Sequence, residues 1–430
     1  MNKTKETFVF GFALFAGFFG AGNLILPPLL GFNSGADWWL VALGFIISAT
    51  IIPMLALLAH ANVQGTMYDF GKKVSPVFSL FFCFCIFLIV IALPAPRTAA
   101  VTHEMAIAPF FGTSSLLTSI VFFVLAFFFV INRNNVLNIL GKYLTPIIVV
   151  ILLIIIAIGI AFPAVEMHAS TFELPVVSGL LEGYQTYDAI AGLLMGGVVL
   201  VSINNSKKTM SFKEKKVMIF KSGLIAMTGL FIIYAGLIAV GALHNSEFNE
   251  GISRADLLSG LASKTLGSTG SVFLSILVSL ACFTTAVAII VSVADFFKAY
   301  FKQYEKAYLV TAIICCMVGI GVGQMDVKYI IDIALPALMF IYPICIVLIV
   351  LNVIPEKWAS SFVFRAVVLV AFIFSIPDFL GFLISAKELA GINKFIPLAK
   401  ENLGWVLPAI CTFVLVNLYE SMIRKRTTQL

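Results

Sequence analysis

Five short stretches set reactive side chains in an otherwise apolar chain. Leu280-Ala-Cys-Phe-Thr-Thr285 places two neighbouring hydroxyls, Thr284 and Thr285, in a run apolar enough for a membrane helix. Paired hydroxyls beside exposed carbonyls offer the oxygen-only shell that suits a small hard cation. The competing reading is back-bonding of each threonine to the preceding turn. Asp188, close to Tyr184, Thr186 and Tyr187, is an ionisable group within an apolar segment, which marks a functional site by default. Three roles are open to it: meeting a ligand ammonium, holding broken backbone, or carrying a proton. A plainer role is capping the next helix. In Ala95-Pro-Arg-Thr-Ala99, Arg97 lies roughly 20 residues of helical rise beyond Lys73, hence near the outer surface. It reads as an interfacial arginine, or as an outer gate paired with Glu104 or Asp188. Gly20-Ala21-Gly22-Asn23 offers freed backbone amides, which bind a carboxylate at the positive end of a half-helix. Its plainer reading is a small-residue packing face. Asp332 reads as a helix-start or interface residue.

These residues need elements to hold them. Phe12–Leu30 carries Gly17, Gly20 and Gly22 and then Pro27-Pro28. Glycines weaken a helix and prolines cannot donate its hydrogen bond. The stretch is therefore a membrane helix that breaks near Gly20–Gly22 and restarts at Asn23, a good N-cap. Bare backbone at membrane depth survives only where it is buried or lines a watery cavity, and a broken helix there points to a carrier's binding site. A second interruption precedes Ala189–Ile203, which is too short to cross alone and comes after the polar Gly179–Asp188.

The fold class expected is an all-α integral membrane protein with twelve spans. They are 8–31, 38–60, 77–100, 114–132, 142–163, 174–203, 216–243, 269–300, 306–323, 329–352, 362–384 and 403–423. Spans one and six are interrupted and lie five apart, so the second copy inserts upside down. That gives inverted repeats over 8–163 and 174–352, with 362–423 appended. The loop 244–268 has room for a small surface helix.

Hydrophobic residues make up 61% of the 430 and charged residues 11%, which excludes a sizeable soluble domain. The net charge of +6 is spread over short loops and is no nucleic-acid signal. Nineteen lysines and arginines fall in alternate loops starting from the N-terminus, against seven in the others, so both termini are expected in the cytoplasm. The first apolar run is too long for a signal peptide. The seven cysteines lie inside expected spans without metal spacing and read as apolar filler. No His/Asp/Glu cluster, nucleophile motif or phosphate loop supports an enzyme.

The stretches FALFAGFFGAGNLILPP (12–28), APRTAAV (95–101), AIAPF (106–110), EGYQTYDAIAG (182–192), LACFTTAVAI (280–289), ADFF (294–297) and ALPALMFIYPICI (334–346) together resemble the bacterial branched-chain amino acid:cation symporters, the LIVCS family. That family is similar to the amino acid–polyamine–cation superfamily with its LeuT-type fold. The resemblance implies sodium-coupled import of leucine, isoleucine and valine through a bacterial inner membrane by alternating access. It implies a sodium ion held by the carbonyls of Ala16, Phe19 and Ala281 and the hydroxyls of Thr284 and Thr285. It implies a substrate meeting Phe19, Gly20, Ala21, Gly22 and Asn23 on one side and Tyr184, Thr186 and Asp188 on the other. Arg97 is the candidate gate. Phe18, Phe19 and Phe283 are expected to wall an apolar pocket, which Tyr187 narrows. The alternative is proton coupling on the same fold, with Asp188 as the carrier.

Overall fold

The computed structural model describes residues 3–132, 136–164, 166–206 and 210–427, all of them helix, turn or loop without a strand. Arg133, Lys207 and Lys208, which enter the loop-charge count, lie outside the described residues. In chain order the α-helices are α1 (Lys3–Phe18), α2 (Ala21–Ser34), α3 (Trp38–Ile46), α4 (Ile52–Val63), α5 (Met67–Phe70), α6 (Pro76–Ala92), α7 (Pro94–Thr102), α8 (Ser115–Ile131) and α9 (Val136–Ala161). They continue as α10 (Pro175–Tyr184), α11 (Asp188–Ser206), α12 (Phe212–Leu243), α13 (Arg254–Tyr300), α14 (Glu305–Gly323), α15 (Val327–Val353), α16 (Ser361–Leu380), α17 (Ala386–Asn393) and α18 (Val406–Thr427). By length and composition, eight described stretches suffice to cross a membrane; shorter apolar helices cover Ser115–Ile131, Pro146–Ala161 and Asp188–Gly197.

Several helices are not straight. Ile47–Ile51 and His103–Ile107 are π-helical turns. α6 ends just before Pro94, and Leu93 leaves helical geometry there (φ −122, ψ −73). α13 holds one non-helical residue, Gly267, at φ 73, ψ 177. That left-handed position suits glycine and divides the element into a short helix over 254–266 and a long membrane helix. The short piece matches the small helix expected in 244–268. It is not a surface appendage, because Leu257, Leu258, Leu261 and Ala262 are buried.

The chain divides into two compact units. The first comprises Met1–Ile51, Phe87–Asp188 and Lys221–Ile331. Its hub is α13, which packs on α2, α7, α8, α9 and α14. Here α3 and α10 also pack with almost no space between backbones. A Cβ at Gly44 would strike the Val176 carbonyl, and one at Gly179 would strike that of Val41. Small residues let helices approach this closely where lipid offers no hydrophobic drive.

The second unit comprises Ile52–Ile86, Ala189–Phe220 and Asp332–Leu430. Within it α16 packs on α18, and α4 meets α11 through Ala56 against Gly192 and His60 against Gly196. The buried His60 ring lies 2.9 Å from the carbonyl oxygens of both Gly65 and Leu193. Asn62 Nδ2 donates to the Asn352 carbonyl (3.1 Å), and Asn352 Nδ2 to that of Phe70 (3.2 Å).

Candidate functional site

The first interruption falls at Phe19-Gly20. Phe19 N donates to Phe15 O (2.9 Å), closing α1. Gly20 is the N-cap of α2, extended at φ −112, ψ −179, with no side chain capping the first amides. This corrects the expected restart. Asn23 is not the cap but the third residue of α2, and its side chain is spent elsewhere. A last helical turn has carbonyls without onward amide partners, and a first turn has amides without partners. The carbonyls of Ala16 and Phe19 and the amides of Ala21 and Gly22 therefore belong to orphaned ends.

The second interruption is residues 185–187. Successive i→i+3 bonds, Gln185 N to Glu182 O, Thr186 N to Gly183 O and Tyr187 N to Tyr184 O, tighten the end of α10. Tyr187 then takes φ 62, rare for a bulky side chain and typical of strained backbone held for function. α11 starts at Asp188, where Thr186 Oγ1 accepts from Asp188 N (3.2 Å) and donates to Gly183 O (2.8 Å).

One buried cluster ties the two interruptions together. Asn23 Nδ2 donates to Phe18 O (3.0 Å), to Asp188 Oδ1 (2.8 Å) and to the Tyr234 hydroxyl. Tyr234, from α12, donates to Asp188 Oδ2 (2.8 Å). Each oxygen of Asp188 thus has a hydrogen-bond partner from a different element, Asn23 of α2, at the restart of the first interrupted helix, and Tyr234 of α12. Tyr234 is a site residue that sequence reasoning missed. Its one available signal was a lone phenol deep in an apolar span.

Arg97 is not interfacial. It is 4% exposed, and its Nη1 donates to the Gln185 carbonyl at 2.9 Å. Its guanidinium lies 5.2 Å from the centre of the Tyr187 ring. A Cβ at Gly22 would overlap that guanidinium, which would have to shift to admit it. Arg97 thus stands between the uncapped start of α2 and the carbonyl end of α10. Counting rise along the helix fixes a depth, but not which way a side chain points. The bend at Leu93 and the packing of α7 on α13, α14 and α2 turn Arg97 inward. Glu104, its other suggested partner, accepts from Val327 N at 2.9 Å.

The threonine pair lies beside the first interruption. Both Thr284 Oγ1 and Thr285 Oγ1 donate to the Ala281 carbonyl at 2.9 Å, the back-bonding arrangement. Thr285 also faces Gly20, where an added Cβ would sit 3.3 Å from its hydroxyl. Three oxygens thus converge beside the first interruption, a donor set that fits a small hard cation. Phe18 and Phe19 are buried beside the interruption. Phe283 is not a pocket wall beside them: it packs edge-on against Phe122 and Phe129 of α8, 5.5 and 5.1 Å away. Asp332 is exposed near the start of α15.

Two interrupted apolar helices, joined at their breaks around a buried polar cluster, define a membrane transport protein of the LeuT-type fold. Solved structures agree on that fold. The inward-facing conformation of Mhp1 matches at TM-score 0.62 and 11% identity, over 97% of this chain and 91% of that one. A substrate-bound Na+-coupled sialic acid symporter matches at TM-score 0.57 and 13% identity, over 96% and 90%. The chain belongs to the family described as branched-chain amino acid transport proteins, whose pattern matches residues 3–423. It is 31% identical over 98% of both chains to the branched-chain amino acid transport system 2 carrier protein of Pseudomonas aeruginosa. It is 32% identical to the branched-chain amino acid permease BraB of Bacillus subtilis, over 94% of this chain and 93% of the relative. These relatives are carriers and permeases, not enzymes.

Proposed function

We propose that the protein imports leucine, isoleucine and valine by sodium symport, through alternating access. The carrying observation is the pair of interrupted helices tied by Asn23, Asp188 and Tyr234, with Thr285 against the first interruption and Arg97 against both. The substrate carboxylate meets the uncapped amides of α2 around Gly20–Asn23, and the carbonyl end of α10 around Tyr184–Thr186 receives the ammonium. Phe18 and Phe19 flank the aliphatic chain. Arg97 is the gate: it stands over Gly22, where the carboxylate must arrive. The names of the relatives supply the substrate class.

Sodium is held by the Thr284 and Thr285 hydroxyls with the carbonyls of Ala281, Ala16 and Phe19. An ion and a substrate bound to opposite sides of one interruption load together, with a reciprocal coupling of typically 1–3 kcal/mol. The chain crosses a bacterial inner membrane twelve times with both termini in the cytoplasm, as two five-helix inverted repeats (8–163 and 174–352) and an appended pair (362–423). Proton coupling through Asp188 has less support, because both carboxylate oxygens already accept from Asn23 and Tyr234.

The test is uptake of labelled leucine into proteoliposomes, with an inward sodium gradient and then with potassium in its place. Uptake with sodium alone supports the reading. Equal uptake in both, driven by a pH gradient and lost in Asp188→Asn, replaces it with proton coupling. No leucine uptake under either gradient rejects the substrate assignment.

A further inference from the structure

The second unit contains a cavity of about 180 Å³ between α6, α15 and α16. Its walls are apolar side chains, among them Phe78, Phe82, Phe340, Ile344 and Val368, with one charged residue, Arg365. At its lipid-facing side Phe81 is 65% and Leu369 58% exposed. Arg365 is anchored: its Nε donates to the Val74 carbonyl at 2.9 Å, and both residues line the cavity. The surroundings of Arg365 are basic. Lys73 lies next in sequence to Val74 and packs over the Phe364 ring, and Lys357 sits over the ring of Trp358. The acids that answer these charges are few: Lys73 meets an almost fully exposed Glu356 at 3.5 Å, and Lys72 is held by Asp69. Trp358 is half-exposed beside this rim, the position of an aromatic residue at the boundary between lipid tails and headgroups.

We propose that this cavity binds one anionic phospholipid, its acyl chain between α6, α15 and α16 and its headgroup phosphate on Arg365. A guanidinium with one N–H fixed on a backbone carbonyl still presents its forked end to a phosphate. Basic pockets between membrane helices are a recurrent form of headgroup recognition. The space is too small for a packed helix, which needs about 10 Å of diameter. It takes a single flexible chain, so a second copy of this protein is a poor occupant.

The test is native mass spectrometry of the delipidated full chain, offered equal amounts of phosphatidylglycerol and phosphatidylcholine with identical acyl chains. The wild type retains phosphatidylglycerol by about fivefold, the factor expected from one cationic side chain facing an anionic headgroup. Arg365→Gln abolishes the preference and Arg365→Lys keeps most of it. Leu369→Trp, which obstructs the mouth, lowers the first bound lipid of either kind. Equal retention of the two lipids by the wild type overturns the proposal, as does an unchanged preference in Arg365→Gln. A lipid-free dimer that loses its contact in Leu369→Trp would assign the face to a second copy instead. Should Arg365→Gln fail to fold, wild type, Arg365→Lys and Leu369→Trp decide the matter alone. Transport need not be active for this readout.

Discussion

Replacing Tyr234 by phenylalanine removes one oxygen and keeps the ring. The ring's edge-on contact with Phe45, 5.3 Å between centroids, survives. What is lost is the donor to Asp188 Oδ2 and one acceptor of Asn23 Nδ2. A buried carboxyl oxygen stripped of its partner keeps its desolvation cost, about 1–3 kcal/mol. A loss of about 2 kcal/mol is expected, equivalent to roughly a 30-fold rise in local opening. Because Asn23 and Asp188 sit on different interrupted helices, the opening should be shared between them. Amide hydrogen exchange read by mass spectrometry, on protein in lipid nanodiscs, measures it directly. Peptides covering residues 19–26 and 183–190 should exchange roughly 30-fold faster, while peptides from α14 stay unchanged. Leucine uptake should fall in parallel. If exchange at both interruptions in Tyr234→Phe matches the wild type, the cluster does not tie the half-helices together and the argument built on it fails.

Thr285→Ala removes a hydroxyl that faces Gly20 and should raise the sodium concentration for half-maximal uptake by about tenfold, the size of a typical coupling energy; unchanged sodium activation would count against the cation site. Gly22→Ala drives a methyl into the Arg97 guanidinium, and overpacking of this kind costs about 1–3 kcal/mol. Leucine binding by calorimetry should weaken strongly, and Gly22→Ala with Arg97→Lys should bind better than Gly22→Ala alone; additive losses would refute the contact. In the turn after α12, burial alone would raise the Glu247 carboxyl, but bonds from Lys264 (2.8 Å) and His244 (2.6 Å) outweigh it and hold it below its ordinary value. A depressed folded value gives stability that is present above the unfolded one and lost as pH falls through the folded one. Exchange protection of residues 244–266, corrected for intrinsic rate, should therefore drop as the pH falls through and below the carboxylate range. Glu247→Gln should flatten that profile, and an equally steep profile in the variant would reject the assignment.

Both helix interruptions were legible because glycine, proline and polar runs stand out against apolar sequence. The first lies at Phe19-Gly20, within a residue or two of the expected place, and the second within the polar stretch before Ala189. The small helix in 244–268 was legible from the length of that loop alone; the break at Gly267 was not read from the sequence. Direction was not. Asn23 has the chemistry of a cap, but the helix restarts from a cap three residues earlier, at Gly20, and the Asn23 side-chain amide donates across the cluster instead. Arg97 was read from depth alone, and depth leaves the facing of a side chain undetermined. Tyr234 carries only a weak local signal, a lone phenol in an apolar span. A phenol in a membrane helix acquires its role only from the groups that another span brings beside it. Phe283 shows the converse: proximity in sequence to Thr284 said nothing of its ring, which helix geometry sends to α8.

The π turn at Ile47–Ile51 bears on how this chain can lengthen or shorten. Such a turn spaces its hydrogen bonds five residues apart, so it accommodates one residue more than the α-helical turn it interrupts. Deleting one residue within it would close it to an ordinary turn and leave the helix nearly in phase, because the turn already holds one residue more than an α-helical one. A further residue added there has no such slack and would turn Val41, Gly44 and Phe45 by about 100° off the backbone of α10, against which Gly44 fits with no room for a methyl group. No side chain of this turn has to touch a ligand for its length to matter. Among relatives, single deletions should therefore be tolerated within these five positions and insertions should not.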